Sequence, residues 1–593
     1  MATNRRIALY RESIENALRQ HRTLALRSEQ HQHFHDLFAD NKQLHLLRAP
    51  DWQVIFGRRG TGKTFLLGML HEEVMGDLQT DRILSAMFTA QDFIASPVGR
   101  EIDDKERALG YFQQFIELLA QRIVAIVDNV LGEATLLETL TGSRRRAVDQ
   151  IQTLAIEILD LSRVGNPVAA WCDIKKQQTR KKSKTKGASG KAVVQASLSA
   201  KGPALAFSAH SDAQATLTSD ELHVSEVDEA IVPRFASIRE RLMELLKTLQ
   251  VSRLNILIDE WSTLDPTAAQ SIQAQFAELL KRTFGGTAMI SVKIATNRYQ
   301  TRFDNRGGGT AYTGLEMGAD IFEATDLDNA LRDTQELTRF CTQLLYRRLL
   351  YCESGLEVFD PRREGIPDEQ FLLSIFRDTR AFAELVKGAE GNPRAFLQVF
   401  NNLAAGYKWS VRNLWCPARV QECVHTISVE ERQPTLEFHS EANQLLLTSV
   451  MPVVTATGSR LFVIKRTNRA AFANAFDELL EKRLVHEYPR AQLPAKVRTH
   501  FEAFLVSYGI WLDWQRPFDR KELAVEKCFD TAKGFKGSLL ERLTIDVSLV
   551  NRSHITCARC HAQFPQNARS FVVRGLCPEC FEPAEESAKV SGF

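Results

Sequence analysis

The sequence has no run of about 18 apolar residues, so it offers no obvious bilayer-spanning helix. Its first twenty residues, MATNRRIALYRESIENALRQ, lack an apolar signal core and already carry acids, which argues against a secretory leader. The chain also lacks an excess of charge: 75 Lys+Arg stand against 73 Asp+Glu, a net +2. Net charge therefore neither announces nor excludes a nucleic-acid partner, because binding depends on local patches. The ten cysteines form no disulfide framework. Six are scattered (Cys172, Cys341, Cys352, Cys416, Cys423 and Cys528) and four are grouped near the end. That usage fits a reducing, cytoplasmic setting without a membrane partner. No repeat of fixed period is present.

What is present bounds the class. At about 150 residues per domain, 593 residues imply roughly three or four domains. Apolar residues at 44% and charged residues at 25% can bury substantial cores, which excludes wholesale disorder.

The strongest motif is Gly57-Arg58-Arg59-Gly60-Thr61-Gly62-Lys63-Thr64, a complete G-x-x-x-x-G-K-[ST]. The apolar run 51–56 before it predicts a buried strand, and FLLGMLHEEV after it carries helical spacing. Glycines let successive N–H groups curl around phosphates, and the following helix adds its positive end. Lys63 would reach the β- and γ-phosphates, and the Thr64 hydroxyl would ligate Mg²⁺.

A second apolar strand, Leu254–Ile258, delivers Asp259 and Glu260. Asp259 would hold Mg²⁺ through water, and Glu260 would polarise an attacking water. A strand ending in Thr296 presents Asn297, which could hold that water; alone, it would be a strand-ending turn residue. Finally, Gly391-Asn392-Pro393-Arg394 opens the helix AFLQVFNNL, with proline at a favourable entry position and Arg394 in the first turn.

In this order, the four motifs resemble an AAA+ ATPase, and most nearly the origin-recognition/Cdc-type initiator clade with its bacterial relatives. The resemblance covers about residues 30–425. It implies an α/β P-loop NTPase with an AAA+ parallel sheet, a helical lid and a winged-helix domain. By resemblance, Lys63 and Thr64 are Walker A residues and Asp259 and Glu260 Walker B residues. Asn297 and Arg394 are the first and second sensors. ATP and Mg²⁺ are the implied cofactors. No arginine finger is assigned, although Arg302 and Arg306 follow the first-sensor strand.

The expected core is 1–330, with a helical insert at 101–164 and a basic arm with a β-hairpin at 165–225. A lid at 331–430, a winged-helix-like unit at 431–515, a connector at 516–550 and a ribbon at 551–593 follow. The arm contains KKQQTRKKSKTKGASGK (175–191), with eight basic residues and no acid; it is either a solvated loop or a contact arm. Residues 459–498 hold nine Lys/Arg and four Asp/Glu, a +5 balance suited to phosphates, though a winged helix also docks proteins. His31, His33 and His35 near the start read as a solvated surface before a metal site.

Cys557, Cys560, Cys577 and Cys580 form two C-x-x-C pairs whose four thiolates complete a closed tetrahedral set for structural Zn²⁺. Residues 551–580 carry four Arg against one Glu, a local +3 that permits nucleic acid. The expected function is an ATP-hydrolysing protein that couples nucleotide state to DNA association, with a homo-oligomer on ATP binding as a further expectation. The alternative is a signalling ATPase of bacterial antiphage defence acting with a partner effector, since no nuclease, protease or deaminase motif is visible in this chain.

Overall fold

In the computed structural model, residues 11–21, 34–94, 104–132 and 235–518 are described apart from short gaps, with small pieces near 153, 173 and 232 and within 522–580. The basic run 175–191, the expected hairpin near 194–209, His31, His33 and Arg306 lie outside the described residues.

Five parallel strands form the central sheet: β1 (Gln53–Phe56), β2 (Ile83–Thr89), β3 (Arg253–Asp259), β4 (Ile290–Thr296) and β5 (Glu323–Asp326). Their order is β2-β3-β4-β1-β5, and every neighbouring pair is parallel. This is an α/β P-loop sheet of AAA+ type. The middle strands are apolar on both faces because helices cover both sides. Lys63–Gly76 packs on one face through Leu66, Leu67 and Leu70. Asp104–Gly132 and Ala269–Phe284 pack on the other through Phe112, Phe115, Phe276 and Phe284. The stripe at Phe112, Phe115, Ile116, Leu119 and Ile123 is therefore core.

Lys293 breaks the apolar pattern of β4 and is fully buried. Its ammonium donates to Ala49 O (2.7 Å), Asp51 O (2.6 Å) and Gln53 Oε1 (2.6 Å). A buried cation is tolerable with its donors used, and here it ties the approach to β1 onto β4.

The sequence predicts one helix over 231–250. Instead Ile231–Pro233 is a strand paired with Cys172–Ile174, and the helix is Phe235–Thr248. Pro233 lacks an amide N–H, which favours ending the strand there over continuing a helix.

Helices Thr334–Cys352, Thr379–Ala389, Pro393–Gly406 and Pro417–His425 form a helical unit over the stretch expected to be the lid, and that name is kept for it. Beyond them, β6 (Leu461–Lys465), β7 (Val485–Glu487) and β8 (Phe501–Val506) make an antiparallel sheet in the order β6-β8-β7, with helix Ala473–Glu481 against it. Lid and small sheet share one continuous core: Leu385, Phe396 and Val424 belong to the same cluster as Phe462, Phe504 and Trp511. The stretch expected to be a connector also contributes buried side chains, Cys528, Leu540 and Leu543, against Leu461 and Val463. Val463 and Leu543–Ile545 exchange backbone hydrogen bonds.

Candidate nucleotide site

After β1 the chain turns at Gly57, whose N–H donates to Thr296 O at the end of β4 (3.2 Å). Gly60 (φ +89°) and Gly62 (φ +94°) lie in the left-handed region, so the backbone favours glycine at these two positions. Gly62 caps the helix that begins at Lys63. The Lys63 ammonium donates to Gly57 O (2.7 Å) and Arg58 O (3.1 Å). Burial lowers its pKa, opposed by Asp259 and Asp328.

Asp259 ends β3, is buried, and accepts from Glu260 N–H at 2.8 Å. Glu260 adopts φ +52°, a conformation that costs a non-glycine residue energy and is characteristic of functional positions. Glu260 lines the cavity described below.

The lid reaches this loop directly. Asn392 caps Pro393–Gly406 by accepting from Ala395 N–H (3.0 Å), while its Nδ2 donates to Arg59 O (3.1 Å). Arg394 N–H donates to Gly60 O (3.2 Å). A cavity of about 430 Å³ results. Arg59, Gly60, Thr61, Gly62, Lys63, Thr64, Asp259, Glu260 and Arg394 all line it. Leu37, Phe38, Phe340 and Leu344 add apolar wall, suited to a flat base.

Three predicted residues stand elsewhere. Gly57 and Asn297 are not among the lining residues. The Asn297 carboxamide caps the next turn, accepting from Tyr299 N–H at 3.3 Å. Arg58 turns its side chain away from the cavity. Its guanidinium is buried, with Nε donating to Asp328 Oδ1 (3.0 Å), its backbone N–H to Asp328 Oδ2 (2.9 Å), and a terminal nitrogen to His486 Nδ1 (2.7 Å). Arg302 is exposed.

No motif in the sequence points to the partners beyond Arg58. His486 sits on β7 and its Nε2 faces the buried Glu390 carboxylate. Glu390 immediately precedes Gly391 and also pairs with Arg460 and accepts from Tyr508 N–H (2.7 Å). Burial would raise the Glu390 pKa, but His486 and Arg460 outweigh it and hold it at about 2. Burial, helped by Arg58 and Arg460 against the pull of Glu390, lowers His486 to about 4. A continuous polar chain thus joins phosphate loop, lid and small sheet.

At the other end of the chain, the Sγ atoms of Cys557, Cys560, Cys577 and Cys580 all lie within 4.8 Å of one another. Cys557–Cys580 is 3.8 Å and Cys560–Cys577 3.7 Å. Tetrahedral zinc with Zn–S bonds of ~2.3 Å requires an S···S separation of about 3.8 Å. The donor set fits that ion. The first pair sits at the turn of a short hairpin, His554–Thr556 with Gln563–Pro565, in which Ile555 opposes Phe564. Backbone N–H groups of Cys560 and Arg559 lower the Cys557 thiol to about 7, which favours the thiolate a metal needs.

No protein-family model and no curated protein matches the chain. Among solved structures it is similar to the Aeropyrum pernix ORC2 protein in its ADPNP–ADP complexes, at 11% identity over 79% of this chain and 88% of that one, with a TM-score of 0.32. It is also similar to the Aeropyrum pernix ORC1 protein in complex with DNA, at 11% identity over 82% and 95%, with a TM-score of 0.28. The strand order β2-β3-β4-β1-β5 and the glycine loop at 57–64 define the fold.

Proposed function

We propose that the chain binds and hydrolyses ATP and couples its nucleotide state to DNA association. The observation that carries this is convergence. The glycine loop, the acidic pair ending β3 and the lid arginine, drawn from three distant stretches of sequence, line one cavity. A triphosphate would lie along the loop N–H groups and Lys63, with Arg394 at its terminal phosphate. Thr64 and Asp259 would hold Mg²⁺, which neutralises phosphate charge. Glu260 would orient and polarise the water that attacks the terminal phosphorus, and the product would be ADP and phosphate.

DNA association is supported by charge placement rather than net charge. Residues 459–498 carry a local +5; Arg460 and Arg483 turn inward, while Lys465 and Arg498 are exposed on a winged-helix-like unit that contacts the phosphate loop through His486. The basic run 175–191 and the zinc ribbon would add further phosphate contacts.

The test is ATP turnover measured alone, with single-stranded DNA and with duplex DNA, each across a salt series. Stimulation by DNA that fades steeply with salt is expected. Turnover indifferent to both DNAs at every salt concentration removes the DNA half of the proposal, and no turnover under any condition removes the hydrolytic half.

A further inference from the structure

Gly60 is crowded on the side away from its own chain. A Cβ built there would meet Arg394 Cβ at 2.6 Å, Asn392 Oδ1 at 2.9 Å and a terminal nitrogen of Arg483 at 3.0 Å. Arg394 and Asn392 come from the lid, but Arg483 comes from the small-sheet unit, in the turn between helix Ala473–Glu481 and β7. Four cations then share one locality. Burial, followed by repulsion from Arg432, Arg58 and Arg394, lowers the Arg483 guanidinium to about 9, with Asp328 opposing.

Two further observations set Arg483 apart. Among the described residues its guanidinium makes no hydrogen bond or ion pair, whereas Arg58 is engaged by Asp328 and His486. Its backbone is also left-handed, at φ +60°, just past a helix end where glycine is the ordinary occupant. An arginine there carries backbone strain that glycine would not. The nearby Arg432 ends a π-helical turn, Thr426–Arg432.

We propose that Arg483 is a positioning residue for the terminal phosphate of a bound nucleoside triphosphate. Standing behind Arg394 over Gly60, its charge drives the Arg394 guanidinium toward the cavity and makes the loop favour the more highly charged nucleotide. The same phosphate charge relieves the repulsion among the arginines, so triphosphate binding draws the small-sheet unit onto the loop. This rests on the nucleotide assignment of the cavity and adds to it a cationic contribution from a different unit of the same chain.

The test compares magnesium complexes of a non-hydrolysable ATP analogue and of ADP by calorimetry, in wild type, Arg483→Gly and Arg483→Lys. Glycine suits φ +60°, so the first variant removes charge without disturbing the turn, and a melting curve verifies this. Arg483→Gly is expected to weaken the triphosphate about tenfold and ADP less than about twofold, with the difference shrinking at high salt. Arg483→Lys should recover part of the preference. Hydrogen exchange over 484–488 should slow on triphosphate binding in wild type and change less in the glycine variant. An unchanged triphosphate-to-diphosphate ratio in a folded Arg483→Gly protein overturns the proposal. A wild type that binds neither nucleotide overturns the cavity assignment, and the role of Arg483 with it.

Discussion

Arg58 and His486 stand 428 positions apart in sequence, and the guanidinium of the first donates to Nδ1 of the second at 2.7 Å. Because arginine only donates, the imidazole must accept at Nδ1 and carry its proton on Nε2, toward Glu390. The phosphate loop thereby contacts the small-sheet unit through a neutral histidine. Truncating Arg58 to alanine leaves the mostly buried Asp328 carboxylate without its cationic partner. Such a broken buried pair costs about 3–5 kcal/mol. Chemical denaturation of Arg58→Ala should show a loss of that size, with no comparable loss for the exposed Arg302→Ala.

The same histidine makes stability pH-dependent. Its folded pKa is about 4, below the ordinary 6.5, so the unfolded chain binds more protons between those values. The stabilisation is therefore complete above about pH 6.5 and is lost progressively as pH falls toward 4. His21 behaves alike: burial, then Arg348, lowers it to about 4, opposed by Asn401. Melting temperature followed from pH 7.5 to 4.5 should fall through this window. His486→Gln and His21→Asn should each flatten part of the fall, and a flat wild-type profile would contradict the buried neutral histidines.

Lys63→Ala and Glu260→Gln should separate binding from chemistry. The first removes the ammonium at the loop, so triphosphate affinity should drop at least about tenfold. The second keeps the shape and left-handed turn at 260 but removes the base. Turnover should fall about 10²–10⁴-fold while bound ATP is retained. Filter binding and phosphate release on both variants decide this, and normal turnover in both would dismiss the assigned roles.

Gly60 is a position where the lid packs directly on the loop. Alanine there would combine a left-handed backbone with a methyl group 2.6 Å from Arg394 Cβ. Strain and overpacking together should cost about 2–4 kcal/mol or force the lid to separate. The expected readout is weaker triphosphate binding with faster hydrogen exchange over 391–397, and an unaltered lid would mean that this contact is not tight.

Much of this site was legible because its parts are local. The loop, β3 with Asp259 and Glu260, and the helix entry at Asn392-Pro393-Arg394 each announce themselves within eight residues. Strand limits agree to within about two residues where apolar runs end in polar ones. What was hidden depends on meetings across long separations. Asp328, Glu390, Arg483 and His486 each look like ordinary surface charges, and only folding brings them together. Asn297 shows the opposite limit: a polar residue at a strand end serves as a water ligand or a cap, and the sequence does not say that its Oδ1 caps the next turn. The segment 516–550 resembled a connector because its buried residues, such as Cys528, Leu540 and Leu543, follow no regular period.

The cysteine cluster can be tested independently of the nucleotide site. Two of its sulfur pairs stand 3.8 and 3.7 Å apart, as zinc requires, and four thiolates would leave no open coordination position, so a bound zinc would serve to hold the ribbon together. Purified protein should contain one zinc per chain beyond any metal that travels with nucleotide. A strong chelator should unfold the ribbon, seen as rapid hydrogen exchange at 554–565, while triphosphate affinity at the distant cavity stays unchanged. Cys560→Ser should behave like chelation, because three thiolates leave the tetrahedron open. Cys528→Ser, which alters a buried thiol outside the cluster, should retain zinc. Full zinc occupancy in Cys560→Ser, or loss of metal in Cys528→Ser, would place the metal on other residues.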